Sequence, residues 1–190
     1  MKQFFQVLFL LFANLIVAQN KTFRLSLEDD FKLNQQLNLC LDKDQSLQDY
    51  EIGDLNKDNK DDLILIANSE MDAHANRKIY LFTNQGNHQF KLAATNQNII
   101  ECGECGGMGV GDPYEKTVIE SGFFSFDLLY GSNCKDAVTV TFKCDPKKKN
   151  WFLHKDTIQT YCNEVGPDGA IKSKISEPNK KDYGKKFEDY

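Results

Sequence analysis

The chain has 190 residues, a mass of 21.7 kDa, 41% hydrophobic residues and a formal charge of −5. That length supports one or two domains. The acidic balance disfavours a partner held through nucleic-acid phosphates. No apolar run of spanning length follows the N-terminal stretch, which excludes a polytopic helical membrane protein.

Met1-Lys2-Gln3 is a short positive start, and Phe4 to Val17 is an apolar stretch broken only by Gln6 and Asn14. Ala18-Gln19-Asn20 then turns polar. This layout predicts a secretory signal over residues 1–19, followed by a β-rich domain over 20–171 and a charged tail over 172–190. Export to the periplasm or the medium is the implied address.

Phe23 to Leu41 fits two patterns: Leu33, Leu37 and Leu41 fall four apart, while Leu37, Leu39 and Leu41 alternate. Asp42 to Asp62 holds eight carboxylates against Lys43, Lys57 and Lys60. Leu63 to Ala67 is a continuous apolar run, the pattern of a strand buried on both faces. Asn68 to Asn76 reads as a loop. Arg77 to Thr83 and Phe90 to Ala94 form strands around the Asn84-Gln85-Gly86-Asn87 turn.

Cys102 to Tyr114 is a glycine-rich loop. Thr117 to Glu120 and Phe123 to Tyr130 are strands around Ser121-Gly122, with Phe124, Phe126, Leu128 and Tyr130 on one face. Val138, Val140, Phe142 and Cys144 alternate with Thr139, Thr141 and Lys143, and Trp151 to Tyr161 follows a turn over Asp145 to Asn150. Gly166-Pro167-Asp168-Gly169 breaks the pattern. Lys172 to Tyr190, with six lysines and four acids, reads as a mobile tail or a loosely docked strap. The expectation is a mostly β fold, a single antiparallel meander of hairpins with few or no long helices after the signal.

Six cysteines in an exported chain predict disulfides ahead of zinc, for which the second ligand pair is missing. Counting down the Asp145–Asn150 hairpin puts residue 134 opposite about 161, so Cys134 and Cys162 are candidates to bridge. Cys102 and Cys105 would close a small ring in the glycine loop. Cys40 with Cys144 remains by elimination. Five glycines among residues 102 to 111 argue against the helical setting that a redox-active Cys-x-x-Cys needs.

Asp54-Leu55-Asn56-Lys57-Asp58-Asn59-Lys60-Asp61-Asp62 carries the strongest chemical signal. Side-chain oxygens stand at the first, third, fifth and ninth places: Asp54, Asn56, Asp58 and Asp62. The seventh, Lys60, offers its carbonyl. Calcium takes six to eight hard oxygen ligands, and alternate oxygens on a tight loop can wrap one ion. Asn59 fills the sharp-turn place usually held by glycine. Leu65 stands where an EF-hand needs its bidentate Glu, so the helix-flanked form is disfavoured.

Gly53 to Leu65 resembles the calcium loop of FG-GAP/VCBS-type repeats, and Tyr80 to Phe90 is similar to the hairpin that follows it there. The likeness covers roughly 40 residues. It implies Ca²⁺ on Asp54, Asn56, Asp58 and Asp62, with Lys60 by its carbonyl. Only one copy is present, so no propeller is implied. Cys102-x-x-Cys105-Gly106-Gly107, Gly111-Asp112-Pro113-Tyr114 and Tyr130-Gly131-Ser132 look like a group of uncharacterised secreted bacterial proteins. That likeness implies export and a β-rich fold.

His74, His88 and His154 are the only histidines. The first two read as loop and turn residues, His154 as a partly buried strand residue. Neither a Gly-x-Ser-x-Gly elbow nor a His-Glu-x-x-His motif occurs. The leading expectation is therefore a non-catalytic, disulfide-stabilised, calcium-braced binding domain, inhibitor- or immunity-like, whose partner is a protein, an envelope component or a glycan. The alternatives are a secreted hydrolase drawing carboxylates from the acidic segment, and a purely structural envelope protein.

Overall fold

The computed structural model describes residues 22–25, 30–165 and 171–190. The expected export signal and the Gly166–Gly169 break lie outside the described residues. Within them, ten strands form two five-stranded antiparallel sheets. The first contains β1 (Thr22–Arg24), β2 (Gln45–Gly53), β3 (Asp62–Ser69), β4 (Lys78–Asn84) and β5 (Gln89–Asn96), in the order β1-β5-β4-β3-β2. The second contains β6 (Tyr114–Glu120), β7 (Phe123–Gly131), β8 (Cys134–Asp145), β9 (Asn150–Val165) and β10 (Ile171–Ser176), in the order β10-β9-β8-β7-β6. The mostly β, antiparallel expectation holds. Among the described residues, no helix is long and apolar enough to cross a membrane.

The two sheets pack face to face. Ile64, Ile66, Ile79 and Leu81 from the first meet Phe124, Phe126, Phe142, Trp151 and Leu153 from the second. A separate cluster covers the opposite face of the first sheet: Leu63, Leu65, Tyr80, Phe82 and Phe90 pack under Leu33, Leu37, Cys40 and Leu41. Leu63 to Ala67 is apolar throughout for this reason, since odd residues face one layer and even residues the other.

The covering layer is helix α1 (Asp30–Asn38). The ambiguous leucines resolve in favour of the four-residue spacing. Leu33, Leu37 and Leu41 are buried, while Leu39 is 86% exposed. β2 is the element whose sequence gave least warning. Its residues are nearly all half-buried, and it lies at a sheet edge, so no strong apolar alternation marks it.

Of the two expectations for the C-terminal segment, mobile tail or docked strap, the structure has the strap, and docks it closely. β10 pairs with β9, and the chain then returns to pair Lys186 with Phe152. Leu153 donates to the Lys185 carbonyl at 2.8 Å, and Gly184 donates to the Leu153 carbonyl at 2.8 Å. Phe187 is fully buried between the sheets, edge-on to Phe124 and Phe142. Its carbonyl accepts from Asn96 Nδ2 at 2.6 Å. Phe187, with Tyr183 and Tyr190 packed beside it, thus plugs the core from within a lysine-rich stretch, which no periodicity could announce.

Candidate functional site

The acidic loop joins β2 to β3 and curls through two left-handed residues, Lys57 at φ 66° and Asn59 at φ 61°. Asn59 takes the backbone conformation that its place in the loop predicts. The curl turns side-chain oxygens toward the loop's own amides. Asp54 Oδ1 accepts from the Lys57 amide at 2.7 Å and from the Asn56 and Asp58 amides at 3.2 Å. Asp54 Oδ2 accepts from the Asn59 amide at 3.2 Å. Asn56 Oδ1 accepts from the Asp58 amide, and Asp58 Oδ1 from the Lys60 amide.

Asp62 closes the loop from beneath. It is fully buried, with Oδ2 accepting from the Leu55 amide at 3.0 Å and Oδ1 from the Asn84 amide at 2.8 Å. Burial pushes its carboxyl up to about 7, against the pull of those two amides, and the charges of Asp58 and Asp54 push the same way. Asp54 moves in the opposite direction: burial raises its carboxyl, but the Asn59, Lys57 and Asn56 amides and the Ser121 hydroxyl together outweigh it and hold the carboxyl below the usual range. Asp54, Asn56, Asp58, Lys60 and Asp62 are therefore gathered in one loop. As they stand, Asp58 Oδ2 is taken by Lys60 Nζ at 3.0 Å. Among the described residues, no set of three His, Cys, Asp or Glu side chains is drawn together to hold a metal ion.

The loop also binds the two sheets to each other. The Asp54 carbonyl accepts from the Gly122 amide at 2.9 Å. The Leu55 carbonyl accepts from the indole of Trp151 at 2.7 Å. Ser121 Oγ donates to Asp54 Oδ2. Gly122 has φ 76°, and a Cβ there would fall 2.2 Å from the Lys57 side chain, so the contact needs glycine.

The opposite end of the sandwich is closed by Arg77, which the sequence reading passed over. Its guanidinium is buried and forms a bidentate pair with Asp112 at 2.8 and 2.6 Å. Nε donates to Asn68 Oδ1 at 2.8 Å. Beside it, Tyr114 donates to Asp49 Oδ2 at 2.6 Å, tying β6 to β2. The guanidinium and the Tyr114 amide hold the Asp112 carboxyl below its ordinary range despite some burial. Arg77 and Arg24 are the only arginines beside 21 lysines, and that rarity is the one signal the sequence offered for a planar, bidentate partner.

Two disulfides form as expected, Cys102–Cys105 and Cys134–Cys162. Cys134 lies directly opposite Cys162. A bulge between Thr141 and Phe142 moves the register one place beyond the simple count. The pairing of Cys40 with Cys144 does not form. Cys40 belongs to the layer that follows α1 over the first sheet and Cys144 lies between the sheets, on opposite sides of the first sheet, beyond the reach of a disulfide. Burial, reinforced by Asp145, raises the Cys144 thiol, so it resists forming a thiolate.

Beside the acidic loop an open groove of about 640 Å³ runs between the sheets. Asp58 is the only acid on its walls, against Lys57, Lys91 and Lys149. His74 and His88 sit in exposed turns, as expected. His154 does not follow its strand parity: it occupies the β9 bulge, is exposed, and stands edge-on to Phe123 at 5.4 Å. No family model, no curated protein and no solved structure matches the chain.

Proposed function

We propose that this chain is an exported, non-catalytic binding domain whose acidic loop is braced by calcium. The export signal over residues 1–19 supplies the address, and two disulfides suit an oxidising compartment. The observation that carries the reading is the curl of the loop. Its two left-handed residues aim the side-chain oxygens of Asp54, Asn56 and Asp58 inward, the arrangement an oxygen-seeking cation needs. These three, with Asp62 and the Lys60 carbonyl, are the residues that would hold Ca²⁺, and the Lys60 ammonium would leave Asp58 when it binds. The ion would offset the mutual repulsion of Asp54, Asp58 and Asp62.

The remaining chemistry favours binding over turnover. Asp54 and Asp62 are occupied with backbone amides. The groove beside them brings one carboxylate, Asp58, where glycoside hydrolysis uses a pair. The Cys144 thiol is raised by burial, and Cys102 is bridged to Cys105.

Thermal unfolding of the oxidised protein with calcium and with chelator tests this reading. Calcium at a hundred times its Kd contributes about 2.7 kcal/mol, a rise of about 5–10 °C for a domain of this size. Asp54→Ala and Asp58→Ala should each abolish that rise. An unchanged melting temperature at millimolar calcium would reduce the loop to a hydrogen-bonded clasp.

A further inference from the structure

The outer face of the second sheet carries an alternating row that runs across the strands. Phe123 on β7 lies opposite Lys143 on β8, Lys143 opposite Phe152 on β9, and Phe152 opposite Lys186 of the C-terminal strap. Directly opposed residues in antiparallel strands project to the same side. The row therefore reads ring, ammonium, ring, ammonium. The rings are half-buried and both lysines exposed.

The rings hold further cations in place. Lys57 Nζ and Lys143 Nζ lie 5.4 and 5.2 Å from the centre of Phe123. Lys148 Nζ lies 4.8 Å from the centre of Phe152. An ammonium over a ring face is attracted by its quadrupole, which limits its wandering. Two acids border the row: Glu120 opposite Phe123, and Asp145 at 3.9 Å from Lys148. Even so, residues 143–155 hold five lysines and His154 against Asp145 alone, in a chain of net charge −5.

We propose that this row binds a linear glycan in which one sugar of every two carries an anionic group. The spacing selects that ligand. The backbones of Lys143 and Lys186 are separated by two strand spacings, ~10 Å, with the Phe152 ring between them and the Lys148 ammonium over that ring. A nucleic-acid strand in a duplex presents a charge every ~3.4 Å, far denser than the row. A glycan that alternates charged and neutral sugars would set anions against Lys143 and Lys186 and, with the Lys148 ammonium displaced from the ring, an apolar sugar face against Phe152. The inference rests on the binding-domain reading above, and it assigns the partner without requiring the calcium.

Calorimetric titration of the full oxidised chain with a hyaluronan decasaccharide at low ionic strength tests it. Binding should be measurable. Lys143→Gln and Lys186→Gln should each weaken it by about five- to tenfold, Phe152→Leu should weaken it comparably, and Lys116→Gln, on another part of the sheet, should leave it unchanged. Circular dichroism of each variant separates loss of the row from loss of the fold. No binding, binding indifferent to Lys143 and Lys186, or equally tight binding of a single-stranded oligonucleotide would each overturn the proposal. Failure here with an intact calcium shift removes the glycan and leaves the calcium-braced domain. Glycan binding without a calcium shift does the reverse.

Discussion

The two ends of the sandwich are closed by opposite means. At one end a loop of carboxylates and amides curls on itself and hands carbonyls to the other sheet, through Gly122 and Trp151. At the other a single buried guanidinium reaches out and gathers Asn68 and Asp112. The first closure is made of many bonds to backbone and concentrates negative charge. The second is made of few bonds and neutralises its charge within one pair. A closure of the first kind leaves like charges beside one another, whereas one of the second balances its charge within itself.

Substitutions can break this comparison. Arg77→Ala should cost most, about 3–4 kcal/mol in urea unfolding, because it removes the Asn68 bond and the buried stem and leaves Asp112 without its partner. Asp62→Ala comes next at about 2–3 kcal/mol, since the buried Leu55 amide and the half-buried Asn84 amide lose their acceptor while a poorly solvated carboxylate is also relieved. Equal costs for the two would mean that the ends are not energetically distinct. Trp151→Phe keeps an aromatic ring in the core but leaves a small cavity and the Leu55 carbonyl without its indole donor, at about 1–2 kcal/mol together. A smaller loss would show that water replaces the bond.

The smallest effect is on acid stability. The folded-state carboxyl of Asp112 is held low by Arg77 and the Tyr114 amide. Its contribution is therefore present above its ordinary unfolded value and is lost as pH falls through the lowered folded one. Asp112→Asn should flatten that acid limb of a stability–pH curve. Because Asp112 is 41% exposed, solvent screening keeps the change modest. An unaltered acid limb would assign the lowered carboxyl no share in stability.

Legibility in the sequence followed how local each signal was. The β8 alternation, the Asn84–Asn87 turn and the opposition of Cys134 to Cys162 depend on near neighbours, and all were readable to within one residue of register. The acidic stretch was readable as a loop because its run of carboxylates and amides breaks directly into the apolar run of β3. β2 was hidden by its edge position, which leaves Leu47, Tyr50 and Ile52 among polar residues. The bulge at His154 is local but has no periodic signature, and the insertion of Phe187 and the pairing of Arg77 with Asp112 join residues far apart in the chain, so one-dimensional periodicity carries no trace of any of them.

The bridge between Cys134 and Cys162 has a mechanical consequence. It joins the open end of the β8–β9 hairpin, so tension applied along the chain from either side would pass through the sulfur atoms and bypass the segment between them. Residues 135–161, which carry Lys143 and Phe152, would bear no load. A protein tethered between two moving surfaces could be stretched until its first sheet peeled away strand by strand while that hairpin kept its shape.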